Sequence, residues 1–398
     1  MNRDVYILLV AQFLTAFADN AVLFTAVAMV MHLPSHPPWY IPALQGSFLV
    51  AFVVLAPWVG RHADTHSKSG VLVSANLVKG VGAALMLAKV DPLLSYAVVG
   101  VGAAVYSPAK YGILPELVPH STLVRANGWI ESTTIVAILT GSLGGAMVAD
   151  RSVAWALILV MVLYLASALG ALLITRIPPR HHEQMPALRH FAGMVRKLLS
   201  TTRARFVVLG DSLFWATGAV LRVLLVAWAP VVLMVTDTTQ IAELTTFLAM
   251  GVAVGAVLAA RFIPLERIRR ARIAAYLMGL SIIVLGLVGT LWPARLALLA
   301  GGMMGGIFMV PINATLQEIG YRSIGSGGAV AVQSFFENLA MLTATSLYGL
   351  AAAQGAQPVA SMIALGLLVL VATFAVSWHL PAENANTAAP EPGSDDAG

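Results

Sequence analysis

The chain has 398 residues, of which 59% are hydrophobic and only 10% charged. A soluble globular domain carries about 25% charged residues, so this composition belongs in a bilayer. The formal net charge of +5 does not by itself indicate nucleic acid as a partner, and with no cysteine in the chain disulfide and thiol chemistry are excluded.

Apolar runs long enough to cross roughly 30 Å of hydrocarbon as helix recur twelve times. They are predicted at 5–33, 41–59, 71–89, 93–113, 123–149, 153–175, 206–234, 239–262, 271–291, 295–316, 326–353 and 358–380. With the N-terminus taken as cytoplasmic, 17 of the 23 Lys and Arg residues fall in cytoplasmic segments. Three fall outside (Lys89, Arg151, Arg295) and three within spans (Lys79, Lys110, Arg222). That is the positive-inside pattern, which predicts an all-α membrane protein with both termini cytoplasmic.

Span 1 contains Ala16-Phe17-Ala18, which resembles a signal-peptidase site, but Asp4 cancels Arg3 and apolar character resumes from Ala21 to Leu33. The segment reads as a retained span. Asp19, with Asn20 beside it, lies about 20 Å into this helix, near the midplane. A charge there costs several kcal/mol and needs a partner or a function.

Between spans 2 and 3, "GRHADTHSKSG" (60–70) is expected to form a loop in which Gly60, Asp64, Lys68 and Gly70 act as a cytoplasmic gate. Asp64 would cap a helix end and accept a basic partner. Lys79, read as lying near the cytoplasmic end of span 3, is expected to snorkel. In span 4, "AVYSPAKYGILPEL" puts Lys110 after Pro108, near the cytoplasmic end. There it either snorkels or turns inward to offer a point charge to a phosphate.

Span 5 places Asn127 and Glu131 on one helix face, and span 11 repeats the spacing with Gln333 and Glu337. These acids either line a cavity or serve as structural groups. Glycines at 141, 144 and 145, at 251 and 255, and at 301, 302, 305 and 306 permit close, sliding helix contacts.

The polar stretch 176–205 divides the spans six and six and is read as the linker between bundles at 1–175 and 206–380. Its part from Ala187 to Leu199 is compatible with a basic amphipathic helix on the inner leaflet or with a solvated connector. Span 7 aligns with span 1 without gaps, "FVVLGDSLFWATGAVLR" on "LLVAQFLTAFADNAVLF". Parallel six-span repeats of this kind are a transporter architecture, with substrate near the midplane. Arg222 falls five positions from the repeat image of Asp19, so the two are expected to meet across the central cavity, for binding or as a static tie. Asp211 is read as lying near a helix end, and Asn313, Gln317 and Glu318 as a gate or helix end. The tail at 381–398 is rich in Pro, Ala and acids and is expected to be disordered.

The 60–70 segment resembles the signature loop of the major facilitator superfamily. "AQFLTAFADNAVLF" (11–24), "VGVGAAVYSPAKYGILPEL" (99–117) and "LVRANGWIESTTIVAILTGSLGG" (123–145) are similar to the bacterial lysophospholipid transporter family within it. The resemblance is strongest over the first 150 residues or so. It implies a twelve-helix, two-bundle flippase in the bacterial inner membrane, working by alternating access. Such a protein moves lysophosphatidylethanolamine-type lipids to the inner leaflet, where an acyltransferase/acyl-carrier-protein synthetase partner re-acylates them. The chain is expected to act as a monomer and to need no cofactor. Asp19, Lys110, Asn127 and Glu131 sit on the matching motifs.

A zwitterionic head group needs a cation for phosphate and an anion for ammonium, and Arg222 or Lys110 with Asp19 or Glu131 would supply both. The alternative is a proton-coupled exporter of small amphiphiles with Asp19 or Glu131 as carrier. An acyltransferase would need an H-x(4)-D motif, but His62 is followed at the required place by Ser67.

Overall fold

The computed structural model describes all residues except 1–2, 32–35, 119, 176–185, 236, 263–269, 324–325 and 379–398. Within its helices, the side chains of residues 64, 115, 120–125, 127–128, 131, 260–262, 317–318, 320–323, 326–330 and 378 also lie outside the description. The expected tail and the linker residues His181 and His182 therefore fall outside the described residues.

Thirteen helices account for the described chain: α1 (Arg3–Met31), α2 (Tyr40–Thr65), α3 (Lys68–Leu87), α4 (Pro92–Leu117), α5 (His120–Arg151), α6 (Val153–Leu172), α7 (Ala187–Leu198), α8 (Thr202–Val232), α9 (Thr238–Phe262), α10 (Ala271–Leu287), α11 (Leu291–Ser323), α12 (Ser326–Ala353) and α13 (Pro358–Trp378). In lipid every backbone polar group must be bonded within its own segment, and a helix achieves this. Ten of the helices are long and apolar enough to cross a membrane. The shorter apolar α10 and the 28-residue α12 lie where the other two spans are expected. Large apolar side chains such as Trp58, Trp155, Val257, Val371 and Phe374 face outward, as lipid contact requires.

Local signals set several boundaries. Asp91 accepts the Leu93 backbone N–H at 2.9 Å, with Pro92 behind it at the first helical position of α4. Thr201 caps α8 by accepting the Ala204 N–H at 3.2 Å. The loop expected at 60–70 is largely helical: α2 runs to Thr65, α3 restarts at Lys68, and only His66 and Ser67 turn. Thr65 donates to the Arg61 carbonyl at 2.9 Å and so lets the last turn of α2 close on itself.

Helices α1 to α6 pack mainly on one another, and α8 to α13 do the same. The seam between these halves is α2 against α12 and α5 against α9. The two sides of the seam differ. Toward Met31, Tyr40 and Val232, one apolar cluster runs through both halves, with Val22, Phe24 and Leu44 continuous with Leu224, Trp228 and Ile241. Toward the linker helix α7, each half has its own cluster: Val5, Leu72 and Leu114 in the first, and Phe191, Val207 and Ile312 in the second. Only Ala56 of the first half packs partly against the second of these. Among the described residues, then, the molecule is sealed on the far side and divided on the linker side.

Of the two readings left open for 187–199, the amphipathic helix is the one observed, but α7 packs on protein, against α2, α11 and α12. It buries Phe191 and Leu198, and Phe191 meets Phe335 edge-on at 5.3 Å. Its basic residues Arg189, Arg196 and Lys197 stay exposed.

Candidate functional site

A polar network occupies the middle of the first half. The Lys79 ammonium donates to Asp19 Oδ2 at 2.9 Å and to Thr15 Oγ1 at 3.1 Å. Tyr164 of α6 donates to the other Asp19 oxygen at 2.9 Å. Thr15 donates to Asn76 at 2.7 Å, Asn76 to Ser167 at 2.9 Å, and Ser167 to the Ala11 carbonyl at 2.7 Å. Lys79 also lies 4.5 Å from the Tyr106 ring centroid. This ties α1, α3 and α6 into one unit, with the charge of Lys79 fully removed from solvent.

Two expectations fail here. Lys79 does not snorkel: α3 starts at Lys68 rather than at 71, which puts Lys79 roughly 16 Å into the helix, and the side chain is 1% exposed. Nor does Asp19 meet Arg222. Its carboxylate faces its own half, whereas Arg222 reaches a level of α1 one to two turns farther on. Asn20 donates to the Ala16 carbonyl at 2.9 Å.

Arg222 lines a small cavity at the seam between the halves, with room for about one water molecule as the structure stands; Leu23, Phe24 and Val27 of α1, Gln45 of α2, and Val226 of α8 are among its walls. Tyr96 is within electrostatic range, but the structure gives Arg222 no hydrogen bond or ion pair among the described residues. Here a guanidinium stands in an apolar wall between the two halves.

The second half holds an acid–amide cluster. Gln333 Nε2 reaches Glu337 Oε1 at 2.7 Å, Asp211 Oδ2 at 3.2 Å and Asn313 Oδ1 at 3.2 Å. The expected i, i+4 pairing of Gln333 with Glu337 is therefore present. Asp211 was expected near a helix end, but α8 begins at Thr202 and buries it to 1% exposure.

Lys110 is buried, and its ammonium lies 4.1 Å from the Tyr111 ring centroid, so it does not snorkel into solvent. Helix α4 passes Pro108 without a break. Lys68 forms a 2.6 Å ion pair with Glu116. This joins α3 to α4 inside one half and does not cross the seam. Gly60 has open space where a side chain would sit. The side chains of Asp64, Asn127, Glu131, Gln317 and Glu318 lie outside the described residues.

The glycines serve contacts within each half: Gly141 lies against the Phe17 backbone, and Gly302 against that of Leu248. The cross-seam contact that sequence reasoning missed is Asp150 at the end of α5. It accepts from the backbone N–H of Thr238 at 3.1 Å and of Thr239 at 2.7 Å, and from the Thr239 hydroxyl. It caps a helix of the other half.

Two six-helix sets, sealed at one end of their seam and each holding buried polar groups, define a facilitator-type transporter rather than an enzyme. The model of the Major Facilitator Superfamily matches residues 8–345. The chain is 41% identical over 379 residues to the lysophospholipid transporter LplT of Klebsiella pneumoniae, covering 94% of this chain and 95% of that one. It is 44% identical over 355 residues to the LplT of Cronobacter sakazakii, covering 88% and 89%. The chain belongs to the LplT family of the major facilitator superfamily. Among solved structures, a bacterial homologue of the lysosomal transporter Spinster, in an inward-facing, unoccupied conformation, superposes with a TM-score of 0.72 at 15% identity, covering 95% of this chain and 98% of that one. The nucleoside transporter NupG gives 0.72 at 12%, covering 95% and 99%. At such identities these likenesses establish the fold alone.

Proposed function

We propose that the protein is a lysophospholipid flippase of the bacterial inner membrane. It moves lysophosphatidylethanolamine-type lipids from the outer to the inner leaflet by alternating access, for re-acylation by an acyltransferase partner. The observation that carries the reading is Arg222, a cation with no ion pair among the described residues, in an apolar cavity between the halves. A single-chain phospholipid matches that chemistry, offering a phosphate for the guanidinium and an acyl chain for the wall.

The positive-inside distribution supports a cytoplasmic linker side, and with it the continuous apolar cluster on the far side supports an inward-facing state. Arg222 then belongs to the outer part of the path and Lys110 to the inner. On this reading the phosphate passes from the first to the second, while Asp19 holds Lys79 and shapes the first half. Gly60, Asp64 and Lys68 belong to the cytoplasmic gate, which closes when the far side opens. The protein works as a monomer.

The test is a leaflet assay with purified protein in liposomes, offered labelled lysophosphatidylethanolamine, diacyl lipid and a soluble sugar. Selective movement of the first supports the reading; movement of none, or of all three alike, overturns it. The second reading, proton-coupled export of small amphiphiles, draws on the second-half cluster. There the carboxyl groups of Asp211 and Glu337 meet at one amide nitrogen, and a proton held by the pair would relieve their mutual repulsion. Efflux driven by an imposed pH gradient would favour it.

A further inference from the structure

Gln45 is 8% exposed, and its Oε1 is buried without a hydrogen-bond partner. Buried acceptors are almost always satisfied, and one that is not calls for a reason. The cavity supplies one. Gln45 lines the same space as Arg222, and the other lining side chains, such as Leu23, Phe24 and Val226, carry no donor. Arg222 offers donors there and Gln45 an acceptor, and neither is engaged by the described protein.

The site also lies where the seam must part. A methyl group placed on the next residue, Gly46, would lie 3.6 Å from Leu342 of α12, and one placed on Gly349 of α12 would meet Pro42, one turn before Gly46 on α2. Opening the far side would expose cation and amide together.

We propose that Gln45 and Arg222 form a head-group subsite in which Arg222 takes the phosphate and the Gln45 carbonyl oxygen accepts a hydrogen bond from the head group. Gln45 is thereby a specificity-determining residue, favouring head groups with an N–H or O–H donor over those ending in a quaternary nitrogen. The inference rests on the transport reading above. It replaces Asp19, held by Lys79 and Tyr164, as the ammonium acceptor in this part of the path.

The test is the leaflet assay with lysophosphatidylethanolamine and its mono-, di- and trimethylated forms. A hydrogen bond predicts little change while one N–H remains and a drop of roughly tenfold at the trimethyl step, because a site built for a donor rejects the analogue that lacks it. Gln45→Leu should flatten that step. Gln45→Asn, which keeps the amide but withdraws it by one methylene, should flatten it too and guards against a folding failure of the first variant. A gradual decline with each methyl, or a step of equal size in wild type and both variants, overturns the proposal while leaving transport intact. Movement of none of the four lipids by the wild type overturns the transport reading itself.

Discussion

Asp150, at the end of α5, accepts a hydrogen bond from the backbone N–H of Thr239 in the first turn of α9, 2.7 Å away across the seam between the halves. A carboxylate at a helix N-terminus satisfies orphan N–H groups and complements the helix dipole, and its removal costs about 1–2 kcal/mol, a factor of roughly 5–30 in a two-state equilibrium. The bond joins the two halves on the far side, so parting them there would break it. Asp150→Ala should therefore shift the population toward far-side opening by about that factor. Labelling of a cysteine placed at Val226 from the far side would report it, in a chain with no cysteine of its own. Unchanged labelling would mean the contact is incidental to closure.

The Asp19–Lys79 pair leads to a second expectation. Lys79→Ala leaves a carboxylate in the middle of the first half without its cation, which should destabilise the protein by about 3–5 kcal/mol. Replacing both residues by leucine should restore most of the thermal stability. Transport should stay impaired in the double variant, because Asp19 also orients Tyr164. Full recovery of transport would make the pair a passive tie.

In the second half, Gln333 is the donor on which Asp211 and Glu337 converge. Gln333→Leu should cost about 1–3 kcal/mol, because it takes the amide donor away from the buried Asp211 carboxylate. Denaturant or thermal unfolding in detergent measures this. A neutral result would show that the acids are solvated or bonded otherwise.

Lys110 and Arg222 should separate kinetically. Lys110→Ala is expected to lower turnover more than substrate binding, since a strongly hydrated ammonium suits release, and Arg222→Ala to weaken binding. Binding of labelled lysolipid at equilibrium, set beside transport rates, distinguishes them. Equal effects on both quantities would remove the order of encounter proposed for the two cations.

Much of this molecule is legible from hydrophobic run lengths: each of the twelve predicted runs coincides with a helix, ten of these helices are long and apolar enough to cross a membrane, and 187–198 is helical, one of the two readings its sequence allows. The facing of side chains is not. Run length fixes depth along a helix but not rotation about its axis, so Asp19 could be assigned to the central cavity when it turns toward α3 and α6. A start of α3 set three residues late was enough to make Lys79 look like a snorkelling residue. Spacing held the missing signal, since Asn76 with Lys79, and Tyr164 with Ser167, each stand three apart on one face. Gln45 carried almost none, being a single neutral amide in an apolar run. Asp150 looked like an ordinary polar end of a span, because its partner lies 89 residues away in the other half.

The most direct test of the central claim is the rate at which purified protein in liposomes moves labelled lysophosphatidylethanolamine between leaflets, wild type against Arg222→Ala. The account predicts movement of the lysolipid but not of diacyl lipid or sugar, falling at least tenfold in the variant while the protein remains folded. Equal rates for wild type and Arg222→Ala would contradict it.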